Sequence, residues 1–220
     1  RILRVQAERT ANMHPTSTHD MLKNKIALVT GAGSGIGEAV AKLFAQNGAS
    51  VVLADMDMDG AARVLAEIEK AGGKGLAVKT DVSKPADCEQ AVAQAVNWLG
   101  RLDIAVNNAG IGGPSALAGD YPIDGWDKVI AINLSGVFYG MRYQLPAMLK
   151  NGGGSIVNMA SILGKVGFPM SSAYASAKHG VIGLTETTAC EYATQGIRIN
   201  AVGPGFIKTP LLDKNLNEEQ

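Results

Sequence analysis

The chain has 220 residues, of which 46% are hydrophobic and 18% charged, a composition that fits a globular α/β protein with a substantial core. Twenty basic residues balance twenty acidic ones, so neither a general nucleic-acid surface nor an anionic-membrane surface is indicated. No apolar run approaches the roughly 20 residues that a membrane helix needs. We therefore expect one domain without nucleic-acid or membrane partners.

Residues 1–20 differ from the rest of the chain, because they are polar, mixed in charge and without a hydrophobic period. We interpret them as a leader or a tag outside the fold, and we place the single domain at residues 21–220. The two cysteines, Cys88 and Cys190, fall on predicted helices without metal or disulfide spacing, so we expect reduced and buried side chains. Reduced cysteines favour a cytoplasmic location.

The first predicted elements follow one another without a break. Residues 26–30 form an apolar strand, and residues 31–37 form a turn with the sequence GAGSGIG. A helical apolar period then runs to about residue 47, and a second apolar strand at residues 50–54 ends on Asp55. The order of strand, glycine turn, helix, strand and acid is typical of a dinucleotide site.

This order has a physical reason. A pyrophosphate needs backbone N–H donors at close range, and a helix N-terminus supplies them together with a favourable dipole. Glycine lacks the Cβ that would hold the phosphate away, and an acid at the tip of the second strand can accept ribose hydroxyls. Because the chain has 27 glycines, the turn alone could be an ordinary loop, and the flanking elements carry the prediction. A phosphate loop of the nucleotide-hydrolase type is disfavoured, because no Gly-Lys-Ser or Gly-Lys-Thr closes the turn.

Strands and helices alternate along the rest of the chain. Strands are predicted at residues 75–78, 102–106, 155–159 and 197–202. Helices are predicted from Asp57 or Asp59 to Gly72, from a Ser83 cap to Gly100, and from about Trp126 with a kink or end at Pro146. A last helix is predicted after a flexible stretch that ends at Ser172, and it holds Tyr174, Lys178 and Cys190. This alternation predicts right-handed crossovers and a single α/β domain built on a doubly wound parallel sheet of Rossmann type.

Chemically useful side chains fall where the predicted strands end. Ligands of a doubly wound sheet bind beyond the carboxyl ends of its strands, so residues at these ends should form one site. The residues concerned are Thr30, Asp55, Asp81, Asn107, Ser161 and Val202.

A second group of residues could move a proton. Tyr174 and Lys178 are four residues apart on one predicted helix and therefore share a face. A phenol with a pKa of about 10 is a poor acid–base group at neutral pH, but a neighbouring ammonium favours the phenolate. Ser161 could hold the same substrate oxygen, whereas His179 points about 100° away and is expected to be a packed or surface residue. An ordinary surface pair of tyrosine and lysine is the alternative.

These motifs resemble those of the short-chain dehydrogenase/reductase family, from about Leu22 to the end of the chain. The matching features, in order, are TGAGSGIG at residues 30–37, Asp81-Val82, NNAG at residues 107–110, Asn133, Ser161, YASAK at residues 174–178, and Pro204-Gly205 with Thr209. The resemblance implies that Tyr174 is the general acid/base and that Lys178 lowers its pKa and binds the nicotinamide ribose. It also implies that Ser161 polarises the substrate oxygen and that Asn133 anchors a water.

The cofactor residues follow from the motifs and from this resemblance. They are Gly31, Ser34, Gly35, Ile36, Gly37, Asp55, Asp81, Val82, Asn107, Ala109, Gly110, Tyr174, Lys178, Val202, Pro204, Gly205, Ile207 and Thr209. Asp55 would accept both ribose hydroxyls and repel a 2′-phosphate. Ser34 stands where phosphate-selecting relatives tend to place a basic residue, and Met56 rather than Arg follows Asp55. We therefore predict NAD rather than NADP, and no metal site, because no grouping of His, Cys and carboxylates suggests one.

The candidate pocket residues are mostly apolar and include no Arg or Lys clamp: Gly112, Gly113, Ile162, Val166, Phe168, Phe206 and Leu211. This favours a neutral secondary alcohol or ketone, cyclic ones included, while sugars, steroids and acyl-thioester ketones stay open. Val166 and Phe168 could equally be loop-packing residues.

The predicted function is hydride transfer between NAD and such an alcohol. The alternatives are an NADPH-dependent ketone reductase and a non-catalytic NAD-sensing protein. The resemblance further implies a homotetramer or homodimer. Family members usually continue past Thr209-Pro210 into a substrate lid, a helix and a seventh strand, so we expect a further C-terminal part beyond the sequence given.

Overall fold

The structure is a computed structural model that describes residues 21–210. The predicted leader at residues 1–20 and the pocket candidate Leu211 lie outside the described residues. Within residues 21–210, no helix is both long enough and apolar enough to cross a membrane.

Six strands of the described chain form a single sheet. They are β1 (Ile26–Thr30), β2 (Ser50–Asp55), β3 (Lys74–Lys79), β4 (Ile104–Asn107), β5 (Gly154–Met159) and β6 (Ile197–Val202). Their spatial order is β3-β2-β1-β4-β5-β6, and every neighbouring pair is parallel. All five residues of β1 are buried, as expected for a central strand with helices on both faces. The predicted doubly wound parallel sheet is confirmed.

Six α-helices connect these strands. They are α1 (Gly35–Gln46), α2 (Met58–Lys70), α3 (Pro85–Leu99), α4 (Ile123–Ile130), α5 (Gly136–Lys150) and α6 (Ser172–Tyr192). One face of the sheet is covered by α1 and α2, and the other by α3, α5 and α6. Neighbouring residues of β1 serve the two cores in turn, because Leu28 packs on the second face and Val29 on the first.

The long helix predicted from Trp126 differs from the prediction in two ways. It begins earlier, at Ile123, and a π-helical turn at Ala131–Ser135 separates α4 from α5. Pro146 does not end α5, which continues to Lys150. Leu145 and Met148 on either side of the proline are buried in the core, and their burial offsets the lost backbone hydrogen bond.

Two smaller predictions were wrong. Ser83 does not cap α3, because the N-cap is Lys84 and the Ser83 hydroxyl instead donates to Asp81 Oδ1 over 2.6 Å. Cys190 is exposed, whereas Cys88 is buried as expected. The helical period alone could not tell which face of the last turns of α6 would be covered.

Candidate active site

The glycine turn between β1 and α1 has a conformation that glycine favours. Gly31 has φ +65° and Gly35 has φ +56°, both in the left-handed region. A Cβ on Gly31 would lie 2.9 Å from Ala109 Cα, and a Cβ on Gly37 would lie 2.0 Å from the Gly31 oxygen. Gly37 therefore allows α1 to approach the turn closely and does not itself line a cavity, whereas Gly31, Ser34, Gly35 and Ile36 do.

Asp55, at the end of β2, is held in place beside this turn. Its Oδ2 accepts a hydrogen bond from the Gly33 N–H over 2.8 Å, and its Oδ1 accepts one from the Asp57 N–H over 2.9 Å. A carboxylate offers about four acceptor positions, so free acceptor capacity remains on the side that lines the cavity. These two hydrogen bonds hold the carboxylate in one orientation.

Asp81 and Val82 follow β3 and line the same cavity as Asp55. Asp81 Oδ1 accepts hydrogen bonds from both the hydroxyl and the N–H of Ser83, and Lys84 Nζ lies 3.5 Å from Oδ2. These contacts, the Ser83 hydroxyl first, lower the pKa of Asp81. Asp81 is therefore an ionised acceptor at neutral pH.

The two asparagines after β4 have different environments. The side chain of Asn107 is buried and donates to Gln144 Oε1 and to Asn158 Oδ1, over 3.1 and 2.9 Å. Asn108 is the one that lines the cavities, and its N–H and its side-chain amide bind Thr30 Oγ1 and the Thr30 carbonyl. Asn107 was expected to line the cofactor cleft, but strand alternation turns its side chain into the core. Asn108 was not predicted as a cavity residue, although the adjacent pair Asn107-Asn108 indicated that one of the two side chains faces the cavity.

Asn133 lies in the π-helical turn and is fully buried. Its Oδ1 accepts from the Ile111 N–H and its Nδ2 donates to the Ile111 carbonyl, both over 2.8 Å. The side chain lines neither cavity and instead fixes the segment after β4 that walls them. Single π-helical turns of this kind are frequent at functional sites.

Ser161, Tyr174 and Lys178 line one cavity together. Ser161 follows β5, and its hydroxyl opposes the rise that burial causes in the pKa of Tyr174, which lies in the first turn of α6. Lys178, one turn later on α6, donates from Nζ to the Met159 carbonyl over 2.7 Å and lies 5.5 Å from the centroid of the Tyr174 ring. The structure thus brings together three side chains that the sequence separates by 17 residues.

The electrostatics of this group differ from the prediction. Burial raises the pKa of Tyr174, and the hydrogen bond with Ser161 opposes this effect only in part. Burial lowers the pKa of Lys178 to about 8. The predicted lowering of the Tyr174 pKa by Lys178 is not seen here, because the ammonium is bound to the Met159 carbonyl and not to the phenol oxygen.

Two adjoining cavities cross the carboxyl end of the sheet. The first has a volume of about 260 Å³ and contains the glycine turn, and the second has a volume of about 410 Å³ and contains the catalytic candidates. The residues that line both are Ile36, Asn108, Gly110 and Thr209. The connection after β1 leads to β2 on one side of the sheet, and the connection after β4 leads to β5 on the other side. Doubly wound sheets bind dinucleotides at this point, where the strand order reverses.

The other candidates divide between lining and remote positions. Ala109 lines the first cavity, and the second is lined by Gly112, Gly113, Ile162, Phe168, Pro204, Gly205, Phe206 and Ile207. Val166 and Val202 line neither. His179 is exposed, with Nδ1 at 2.9 Å from the Ala175 oxygen. Within residues 21–210, no group of three or more His, Cys, Asp or Glu side chains could hold a metal ion.

Comparisons with known proteins agree with this geometry. A family model described as short chain dehydrogenase matches residues 25–220. A cyclohexanol dehydrogenase from Acinetobacter sp. (strain SE19) is 52% identical over 189 residues, which are 86% of this chain and 75% of that protein. A cis-4-hydroxycyclohexanecarboxylate dehydrogenase from Sinomonas cyclohexanicum is 44% identical over 86% of this chain and 75% of its own length.

The crystal structure of a levodione reductase superimposes with a TM-score of 0.86 at 39% identity, over 88% of this chain and 76% of that one. The family match covers residues 25–220, and the levodione reductase shares the fold. The chain belongs to the short-chain dehydrogenase/reductase family and is an oxidoreductase of alcohols and ketones.

Proposed function

We propose that the protein is an NAD-dependent dehydrogenase that interconverts a neutral cyclic secondary alcohol and its ketone. The observation that carries the proposal is the meeting of Ser161, Tyr174 and Lys178 in a cavity that adjoins the glycine turn. A nicotinamide cofactor fits the residues present, since the turn lies at the N-terminus of α1 and the second cavity adjoins the first.

The proton chemistry follows from the three side chains. In alcohol oxidation, the Tyr174 phenolate accepts the hydroxyl proton while the Ser161 hydroxyl donates a hydrogen bond to the same substrate oxygen. In ketone reduction, the neutral phenol returns the proton to the carbonyl oxygen. Lys178, whose Nζ is bound to the Met159 carbonyl and lies 5.5 Å from the centroid of the Tyr174 ring, would hold the nicotinamide ribose, as the family resemblance implies. When bound, the cofactor supplies the hydride acceptor or donor.

The first cavity favours NAD over NADP. Asp55 and Asp81 both line it, and among residues 21–210 no lysine or arginine does. A 2′-phosphate near these carboxylates would meet repulsion without a cation to offset it, whereas ribose hydroxyls would find acceptors.

The second cavity favours a neutral ring. Lys178 is its one charged lining side chain in the described chain, and its walls include Pro114, Leu163, Phe168 and Phe206. The Phe168 and Phe206 rings meet edge to face with centroids 6.2 Å apart. A relative named for cyclohexanol supports the same class, and one named for cis-4-hydroxycyclohexanecarboxylate supports the six-membered ring, although that substrate carries a carboxylate.

A substrate panel tests the proposal. Cyclohexanol, an open-chain secondary hexanol and hydroxybutyrate are each incubated with NAD⁺ and with NADP⁺, and the absorbance of the reduced cofactor is followed. We expect the highest kcat/KM for cyclohexanol with NAD⁺. Faster reaction with NADP⁺ would favour the ketone reductase, and NADH binding without turnover of any substrate would favour the NAD-sensing protein. A preference for hydroxybutyrate would contradict the proposed substrate class.

A further inference from the structure

Gly33, the second glycine of the turn, accepts a hydrogen bond from a side chain of α2. Arg63 lies on α2, thirty residues after Gly33, and its Nη2 donates to the Gly33 carbonyl over 3.0 Å. The Gly33 N–H donates to Asp55 Oδ2 on the other side. A Cβ on Gly33 would lie 3.1 Å from the Ala61 nitrogen, so the start of α2 packs directly on this residue.

Arg63 is itself held by two carboxylates. Glu38, in the first turn of α1, accepts from Nη1 over 3.0 Å and from Nη2 over 2.6 Å, and Glu67 accepts from Nη1 over 2.9 Å. The Arg63 guanidinium, as the largest cause, lowers the pKa of Glu38 to about 2, so this carboxylate stays ionised at neutral pH. Lys42 also pairs with Glu38 and Glu67, but no hydrogen bond joins it to the turn.

We propose that Arg63 is a positioning residue for the cofactor: it fixes the Gly33 carbonyl and so sets the glycine turn before a dinucleotide binds. The proposal rests on the proposed function, because the ligand is the dinucleotide of that function. Arg63 lines neither cavity, so it acts through the turn and not by touching the ligand.

The physical reason is the cost of ordering the turn. Gly31 and Gly35 lose more conformational freedom on ordering than other residues, and the anion must find several N–H groups aligned. In a turn already held at Gly33 by an arginine and an aspartate, this entropy is lost during folding. Without Arg63, the entropy is lost when the cofactor binds, which weakens cofactor binding but leaves the second cavity unchanged.

The experiment compares Arg63→Gln with Lys42→Gln. Both variants remove one cation from the same ion network, but only the first removes the bond to Gly33. We expect Arg63→Gln to raise the NADH Kd and the NAD⁺ KM about tenfold, with kcat at saturating cofactor within about twofold of wild type. We expect Lys42→Gln to leave Kd within about twofold. NADH fluorescence gives Kd, and steady-state rates separate KM from kcat.

Equal weakening by the two variants would overturn the proposal, because the ion network between α1 and α2 would then be the cause. Unchanged NADH binding by Arg63→Gln would overturn it as well. If that variant does not fold, Arg63→Lys keeps the charge but offers one compact ammonium in place of the fork, and weakened NADH binding is again expected. Arg63→Lys that binds like wild type would then overturn the proposal. A wild type that fails to bind NADH would overturn the proposed function instead, and this inference with it.

Discussion

The two cavities of this protein are built in different ways. The first is lined by the glycine turn and by residues that follow β2, β3 and β4, and a hydrogen bond from Gly33 to Asp55 joins the turn to the end of β2. The second is formed by side chains from loops after β4, β5 and β6 and from α6. Among its described lining residues, Lys178 is the one cation, and it is buried. The pKa of Tyr174 in this cavity is raised by burial. The first cavity thus combines an ordered turn with two carboxylates, whereas the second places the candidates for proton transfer in a mostly apolar setting.

The largest expected effect is in the second cavity. Tyr174→Phe removes the proton acceptor and should lower kcat for cyclohexanol about a thousandfold. The NADH Kd should stay within about twofold, because the first cavity is untouched. Steady-state rates and NADH fluorescence measure the two quantities. Tyr139→Phe on α5, whose side chain lines neither cavity, is the matched control. Substantial turnover by Tyr174→Phe would remove the phenol from the mechanism.

In the first cavity, the charge of Asp55 can be separated from its hydrogen bond to the turn. Asp55→Asn removes the charge but keeps an oxygen that can accept from the Gly33 N–H, whereas Asp55→Ala removes both. We expect Asp55→Asn to raise the ratio of the kcat/KM for NADP⁺ to the kcat/KM for NAD⁺ about thirtyfold, because the variant repels the 2′-phosphate less.

Asp55→Ala should raise this ratio of kcat/KM values by a similar factor, but it should also weaken the binding of both cofactors. Kinetics with both cofactors measure this, with Asp59→Asn in the first turn of α2 as the control. A wild-type ratio in both Asp55 variants would show that the carboxylate does not select the cofactor.

A smaller effect is expected at the mouth of the second cavity. Phe206→Ala breaks the edge-to-face contact with Phe168 and opens the apolar wall. We expect kcat/KM for cyclohexanol to fall about fivefold and the NAD⁺ KM to stay unchanged. Phe138→Ala, an exposed ring on α5, is the control. An unchanged kcat/KM in Phe206→Ala would mean that the ring does not contact the substrate.

The smallest expected effect is on stability, and its sign follows from the burial of Lys178. The pKa of Lys178 is lowered to about 8, so the unfolded state binds the proton more tightly between about pH 8 and 10.5. The cost of burying the charge is therefore full below about pH 8 and disappears as the pH rises through this range. Lys178→Met should be about 1 kcal/mol more stable than wild type at pH 7, after allowing for the lost bond to Met159, with the gap narrowing above about pH 8.

Denaturant unfolding at several pH values measures this difference, and the variant should be nearly inactive. A variant less stable than wild type at pH 7 would show that the bond to the Met159 carbonyl outweighs the burial cost. Lys165→Met, an exposed lysine, is the control that should show no such pH dependence.

The sequence predicted most of the site because its motifs are local. The strand–turn–helix order around residues 26–46 is written in apolar periods and glycines, and the Tyr174–Lys178 spacing places both residues on one helix face whatever surrounds them. Asn107 and Arg63 were different cases. The side-chain direction of Asn107 depends on the register of β4, and the role of Arg63 depends on α2 packing over the turn.

The sequence by itself determined the sheet with its crossovers and the glycine turn with its acid, and it named the candidate catalytic side chains. Only the tertiary structure decided that Asn108 and not Asn107 faces the cavities, that Arg63 holds Gly33, and that burial raises the pKa of Tyr174. The physical reason is that propensity and spacing act within a few residues. Burial and electrostatics depend instead on which distant segments come to cover a side chain.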